Sequence, residues 1–261
     1  MLGLNGGLMG VRKVPTSGTA TGVWDQNEQS VAKRAAIWPQ VIIDPMPGLS
    51  PILWYDFADQ TTVTTSGTEI TAVTSKGSRA WTLSKSATGP QYVTGINGLQ
   101  CLDWGSVQHA NFLSNNDSTA TAIGEVYVVV DGAFGGSFPT YAGLFTGTGG
   151  GAWYFLGAND SWLQAGGNFD QVFINGGANR FSTSPFSSPS IDSPAIIRVN
   201  SSTSNVINTT DGFEIGNDRS NANRGWFGLV GEYIVFSSVL SSTDRDALLA
   251  WLGFKWGITL V

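Results

Sequence analysis

From residue 52 onward the sequence consists of short segments rich in β-branched and aromatic residues, separated by turn-forming dipeptides. Ten such segments predict strands, at residues 52–57, 69–74, 79–84, 99–104, 125–131, 152–157, 171–175, 195–200, 212–216 and 229–236. Dipeptides typical of tight hairpin turns lie between many of them, at Asn97–Gly98, Gly149–Gly150, Asn175–Gly176 and Asp211–Gly212. Because no helical periodicity intervenes, the pattern predicts an all-β sandwich or jelly roll and argues against an α/β fold.

One helix is predicted at the end of the chain. Ser241 and Asp244 have the spacing of a capping box. Apolar residues then recur at helical spacing, at Leu248, Leu249, Leu252 and Trp256. This pattern predicts a helix over residues 242–254 whose apolar stripe packs on the strands.

The first 47 residues differ from the rest. Residues 1–22 are rich in Gly, Thr and Ser without periodicity, which is typical of an extended arm that has no core of its own. Asp25 and Glu28 form a second capping-box pattern, which predicts a short helix over residues 26–37 that ends before Pro39. We therefore predict an anchoring or docking arm at residues 1–47 and a β-domain at residues 48–261.

Charge and composition argue against several classes of function. Lys and Arg number 13 against 19 Asp and Glu, and a surface that follows nucleic-acid phosphates needs clustered basic residues. A single cysteine, Cys101, excludes an internal disulfide, and a single histidine, His109, excludes a multi-histidine metal site. No apolar run approaches the ~20 residues that span a bilayer, and residues 1–10 lack the basic segment of a signal peptide. We expect no cofactor, no nucleic acid, no membrane insertion, and assembly in a cytosol.

The sequence also lacks recognisable catalytic groupings. A glycosidase needs two carboxyl groups on one face of its sheet, and no glutamate has a carboxylate partner two or four residues away on a predicted strand. Glu214 and Asp218 come closest, but the residues between them predict a turn. His109 has no G-x-S-x-G motif nearby, and the Gly-rich residues 147–151 lack the Lys and helix of a phosphate loop. We therefore predict that the chain is not an enzyme.

Aromatic residues beside amide-rich loops are the candidate binding residues. A pyranose has apolar C–H faces and a rim of hydroxyl groups, so exposed rings next to Asn and Asp suit a sugar. The candidates are Trp153, Tyr154, Trp162, Asn217, Asp218 and Trp226. The alternative is that the interior buries such rings, as we expect for Trp54, Trp104, Trp251 and Trp256. Calcium bound by Asn217, Asp218 and Asn221 is a further alternative, but Ca²⁺ takes about 6–8 oxygens, so no metal is the preferred prediction.

Three segments carry a resemblance to a known family. LWYDFAD at residues 53–59 precedes PQYVTGINGLQCLDW at 90–104, EVYVVVD occupies 125–131, and residues 212–258 contain GEYIV, a predicted helix and KWG. These segments resemble the opening strands, the central strand and the ending of concanavalin A-like, laminin-G-like jelly rolls, which occur in many phage and secreted bacterial proteins. The resemblance covers roughly residues 50–258 and implies a concanavalin A-like sandwich closed by a short helix.

The arm carries a separate resemblance. Thr21–Trp24 (TGVW) and Trp38–Pro39 are similar to leader segments on marine-phage structural proteins, including those of cyanophages. This implies a tailed-phage virion protein whose partners are other tail or capsid proteins. Trp24, Ile37 and Trp38 are its expected anchors, since large side chains concentrate interface energy.

Two functions remain open from the sequence. In the first, a lectin-like domain on a tail fibre, baseplate or head fibre binds host-surface glycans. In the second, the domain is a capsid or tail decoration or assembly component with no ligand of its own. Because phage fibres are commonly trimers, the resemblance implies a homo-oligomer, a trimer before a dimer.

Overall fold

The structure, a computed structural model, describes most of the predicted β-domain. All described residues belong to the compact unit Asp44–Val261. They are 44–105, 111–117, 119, 121–132, 142–147, 154–159, 162–165, 171–178, 194–200, 207–209, 212–217 and 224–261. Residues 1–43 lie outside them, so the arm, its helix over 26–37 and its anchors Trp24, Ile37 and Trp38 stay predictions.

Strands dominate the described residues. In chain order they are β1 (Leu53–Asp56), β2 (Val63–Ser66), β3 (Glu69–Thr74), β4 (Thr82–Lys85), β5 (Gln91–Thr94), β6 (Gln100–Asp103), β7 (Leu113–Asn115), β8 (Thr121–Ile123), β9 (Glu125–Gly132), β10 (Ala142–Gly147), β11 (Tyr154–Asn159), β12 (Trp162–Ala165), β13 (Gln171–Ile174), β14 (Ala195–Asn200), β15 (Ile207–Thr209), β16 (Phe213–Ile215) and β17 (Gly228–Phe236). Two α-helices are described, α1 (Met46–Leu49) and α2 (Ser242–Trp256), with 3-10 turns at Gln60–Thr62 and Ile96–Gly98.

Fifteen of these strands form one sheet. Its order is β12-β11-β10-β16-β7-β4-β3-β5-β6-β17-β9-β14-β13, with β1 paired to β17 and β2 paired to β3, while β8 and β15 pair separately. The sheet curls back on itself: the ring of Phe145 on β10 lies 6.2 Å from the ring of Tyr233 on β17 although six strands separate them in the order. The predicted all-β class is confirmed, and the strand pairings are antiparallel.

The main core lies inside this curl. On β9, Val126, Val128 and Val130 belong to the core cluster. Tyr127 and Val129, which alternate with them, are buried on the opposite face, on the side where α2 meets β14. Burial on both faces explains why this strand reads as an uninterrupted apolar run. Each such side chain contributes about 1.5–3 kcal/mol by leaving water.

The predicted C-terminal helix is confirmed as α2. Ser241 caps it by accepting a hydrogen bond from the backbone N–H of Asp244 at 3.2 Å. The predicted apolar stripe from Leu248 to Trp256 is buried. The helix ends at Trp256, two residues later than predicted, and Gly257, whose φ is 67°, forms the left-handed C-cap that glycine adopts at low energy.

Two of the predicted Asn–Gly turns are confirmed. Asn97–Gly98 have φ values of 50° and 73°, and Asn175–Gly176 have 52° and 78°, as a type I′ hairpin turn requires. Both turns bind the end of the chain: the Asn97 amide donates to the carbonyl of Lys255 at 2.9 Å, and the N–H of Val261 donates to the carbonyl of Asn175 at 2.9 Å. The dipeptide at 149–150 and Asp211 lie outside the described residues.

Gly231 provides a test of how tightly α2 packs. A Cβ atom at Gly231 would lie 2.7 Å from the indole ring of Trp256. We expect Gly231→Ala to lower the free energy of unfolding by about 1–3 kcal/mol, because the ring has to move. Urea unfolding measures this change.

The matched control is Gly48→Ala in α1. A Cβ at Gly48 would have no neighbour within 4 Å, so this substitution should leave stability unchanged or slightly raised. Equal effects from the two substitutions would contradict the tight contact between Gly231 and Trp256.

Candidate functional site

The structure buries two of the predicted sugar contacts. Trp226 has 0% exposure and belongs to the core cluster, and its backbone N–H donates to the carbonyl of Gly216 at 2.9 Å. Asn217 also has 0% exposure. This corrects the expectation of exposed side chains at these two positions, because segments 212–217 and 224–228 pack together rather than forming an open loop.

The other predicted contacts are only partly described. Trp153 and Asp218 lie outside the described residues. Tyr154 begins β11, and Trp162 begins β12 opposite Asn159. Tyr154 and Trp162 therefore lie near opposite ends of this hairpin.

A row of polar residues crosses the outer face of the sheet. Thr146, Glu214, Ser114 and Ser84 lie opposite one another on β10, β16, β7 and β4. We call these four residues the polar row. They alternate with the core residues Phe145, Phe213, Leu113 and Leu83. The polar row therefore faces away from the core, in steps of about 4.8 Å from strand to strand.

The polar row changes from buried to exposed along its length. At one end Glu214 has 0% exposure and accepts a hydrogen bond from the Thr146 hydroxyl at 2.9 Å. At the other end Ser84 is exposed, and β3 and β2 continue the row with Ala72 and Thr64. The register also places Tyr154 opposite Thr146. Sequence reasoning missed the polar row because its members come from four separated segments, although each alternates with a core residue.

A second group of polar residues is buried where β1, β17 and α2 meet. Asp56 on β1 lies opposite Glu232 on β17. The ammonium of Lys255 binds both carboxylates, at 2.7 Å from Asp56 Oδ1 and 2.8 Å from Glu232 Oε2. The indole N–H groups of Trp54 and Trp256 donate to the two oxygens of Glu232 at 2.6 and 2.7 Å. We call Trp54, Asp56, Glu232, Lys255 and Trp256 the clasp.

Charged neighbours extend the clasp toward the surface. Lys76 lies 3.3 Å from Asp56 and 2.8 Å from Asp59, and its ammonium sits 4.1 Å from the centre of the Trp54 ring. The hydrogen bond from Lys76 lowers the pKa of Asp59 to about 2. Inside the clasp, burial raises the pKa of Glu232, and the ammonium of Lys255 opposes that rise.

The clasp connects β1, β17 and α2 through ion pairs and hydrogen bonds. Two neighbouring carboxyl groups are what a glycosidase uses as acid and nucleophile. Here the Lys255 ammonium binds both Asp56 and Glu232, and two indole N–H groups bind Glu232, so these carboxylates are engaged with the protein itself. The sequence analysis missed this pair because it considered only carboxylates along a single strand. Asp56 and Glu232 instead face each other on two neighbouring strands.

A second ion cluster holds the other end of α2. The fully buried Glu125 on β9 pairs with Arg198 at 2.8 Å and with Arg245 of α2 at 3.3 Å. Its other oxygen accepts from the N–H of Leu240 at 2.7 Å, just before the helix begins. The guanidinium of Arg198 also lies 3.6 Å over the ring of Phe173. Both ends of α2 are thus fixed to the sheet by buried glutamates.

Metal binding and thiol reactivity are two further kinds of site chemistry that the described residues bear on. Within the described ranges, no group of three or more His, Cys, Asp and Glu side chains is placed to hold a metal ion. Cys101 is buried, and burial raises the pKa of its thiol to about 11. Across the described ranges, no helix is both long enough and apolar enough to cross a membrane.

Comparison of the chain with protein-family models, with curated proteins and with solved structures returned no match. The resemblance to concanavalin A-like jelly rolls therefore stays a prediction that rests on the quoted segments. The function of the chain therefore has to be inferred from the geometry of the described residues.

The pKa of Glu232 gives a prediction with a definite sign. Because its folded-state pKa lies above its unfolded value, Glu232 contributes most to stability below the unfolded pKa, and the contribution is lost as pH rises through the folded pKa. The quantity to compare is the unfolding free energy of the wild type minus that of Glu232→Gln. We expect this difference to be larger at about pH 5 than at about pH 8. Urea unfolding at both pH values measures the difference.

Glu69→Gln is the matched control. The hydrogen bond from Lys85 lowers the pKa of the partly exposed Glu69, so its titration lies below this pH range and its difference should stay nearly flat. A Glu232 difference that is flat, or that decreases toward pH 5, would refute the assignment.

Proposed function

We propose that the chain is a structural protein of a tailed-phage virion that displays a concanavalin A-like jelly-roll domain on the particle surface. The domain binds host-surface glycans through the exposed part of its polar row, on a tail fibre, baseplate or head fibre. The chain carries out no catalysis of its own. Its partners are neighbouring virion proteins and further copies of itself. The homo-oligomer we propose is a trimer in preference to a dimer.

The meeting of the resembling segments in the clasp carries the proposal. LWYDFAD supplies Trp54 and Asp56, GEYIV supplies Glu232, and KWG supplies Lys255 and Trp256. These segments lie far apart in the sequence, yet their side chains bond directly to one another. The opening and closing segments thus form one connected structural unit, which supports a shared domain type better than separate likenesses do.

The chemistry of the outer face supports a glycan as ligand. Ser84 and Thr64 expose hydroxyl groups along the row. On the same sheet, the hydroxyls of Thr74 and Thr82 lie 2.9 Å apart in exposed positions. Hydroxyl groups both donate and accept hydrogen bonds, as the hydroxyl rim of a sugar does. None of these four residues carries a charge, which suits a neutral glycan surface.

The assembly role is the second candidate, and one observation favours it. Three large apolar side chains are exposed among the described residues, and all belong to the last eight positions of the chain: Phe254, Leu260 and Val261. Large apolar side chains left exposed close together in the sequence suit a contact with another protein. The virion location itself is supported by the resemblance of the arm, through Thr21–Trp24 and Trp38–Pro39.

A glycan array probed with the full-length chain tests the ligand. We expect binding to host-surface polysaccharide that Ser84→Gln weakens about threefold to tenfold, the effect of losing one hydrogen bond of about 0.5–1.5 kcal/mol. Thr94→Gln is the control, because Thr94 is also an exposed strand residue but lies on β5, outside the polar row. Equal binding by both variants would contradict the assigned face.

The two candidate functions give different results in that assay. If no glycan is bound while the protein is present on particles, the decoration or assembly role replaces glycan adhesion. Product release from the polysaccharide by the purified chain would instead contradict the absence of catalysis.

Deletion of residues 1–40 tests the arm. We expect the deleted form to keep the melting transition of the β-domain, because every described strand lies beyond residue 52. Particles assembled with it should lack the protein, since the anchors Trp24, Ile37 and Trp38 are gone. Incorporation at normal copy number would show that the arm is not the anchor.

A further inference from the structure

Strand β1 is a four-residue strand with a single strand partner among the described residues, and its inward side chains Leu53 and Tyr55 are buried in the core. Among the described strands it pairs only with β17, over Leu53–Asp56, and its other edge bonds to the loop at 75–79. Backbone bonds from Ile52 to Val235 and from Phe57 to Gly231 extend the pairing by one residue at each end. By contrast, β17 pairs with β9 over nearly its whole length.

We infer that the clasp is a coupling device that makes the attachment of β1 to the sheet depend on helix α2. Lys255, at the end of the helix, supplies the positive charge between a carboxylate on β1 and a carboxylate on β17. When that charge is removed, β1 opens locally while the rest of the sheet stays folded. The inference is independent of what the domain binds.

The direction of the effect follows from where the two carboxylates sit. Asp56 and Glu232 are directly opposite each other, with 6% and 0% exposure. Without Lys255 the two carboxyl groups face each other with Lys76 beside Asp56 alone. At a pH where both are ionised, each repels the other in a medium that screens charge poorly. The repulsion acts across the β1–β17 pairing alone, and β1 is the strand with fewer partners, so β1 moves.

The charged neighbours do not replace Lys255. Lys76 contacts Asp56 and Asp59 but is bound on the outer side of β1. Among the described residues, the remaining donors to Glu232 are the neutral indoles of Trp54 and Trp256. Removal of Lys255 therefore leaves the Glu232 carboxylate without its cation.

Hydrogen exchange of the full-length chain, followed by mass spectrometry, tests the coupling. In Lys255→Met we expect amides of residues 52–57 to exchange at least about tenfold faster than in the wild type, whereas β9 and β14 keep their protection. Lys85→Met is the control, because Lys85 pairs with Glu69 in a partly exposed salt bridge away from β1. It should leave exchange in residues 52–57 unchanged.

A second substitution separates repulsion from a general loss of packing. Adding Asp56→Asn to Lys255→Met removes one of the two like charges, so exchange in residues 52–57 should slow again toward the wild-type rate. If Lys255→Met alone does not fold, the double variant should restore folding and keep residues 52–57 protected, because only one ionised carboxylate then remains at this pairing. A double variant that also fails to fold overturns the inference. Equal acceleration in β1 and β9, or no acceleration in β1, overturns the inference.

Discussion

Burial of the Glu232 carboxylate is the constraint on which the arrangement of β1, β17 and α2 depends. A carboxylate removed from water costs several kcal/mol unless charges and hydrogen bonds replace its hydration. Lys255 and two tryptophan N–H groups do so here, at 2.6 to 2.8 Å. These donors come from two elements, β1 and α2, so the carboxylate on β17 is satisfied only when the first strand and the last helix are both in place. The lack of a side chain at Gly231 then lets the Trp256 ring lie against β17.

Glu125 plays the same part at the other end of the helix. It collects Arg198 from β14, Arg245 from α2 and the N–H of Leu240 around one buried carboxylate. Apolar packing alone is non-directional and would tolerate a sliding helix. Two buried ionic groups near the ends of α2 fix its position along the strands, because a shift would leave a charge unpaired at about 3–5 kcal/mol for each broken pair. A chain with only 12% charged residues thus uses several of them inside the fold.

Local patterns predicted much of this fold. All ten predicted strands overlap observed ones, and the segments at 69–74 and 195–200 match to the residue. Seven strands were not predicted, namely β2, β5, β7, β8, β10, β12 and β15; three of them are only three residues long, and β10 begins with Ala-Gly. Such segments become strands because neighbours offer free backbone groups, which a single sequence does not show. The pairing of Asp56 with Glu232 and the burial of Trp226 depend on register and packing for the same reason.

The residues that stabilise the fold and the residues proposed to bind a ligand are separate. The clasp lies in the segments that resemble concanavalin A-like jelly rolls, whereas Ser84 and Ser114 of the polar row lie outside them. Residues on the outer face can therefore change without disturbing the buried ion pairs, since outward and core side chains alternate along each strand. A likeness in the clasp segments consequently bears on the fold and leaves the ligand undetermined. The identity of the proposed glycan depends on the hydroxyl groups and register positions of β2, β3, β4 and β7, where the row reaches the surface.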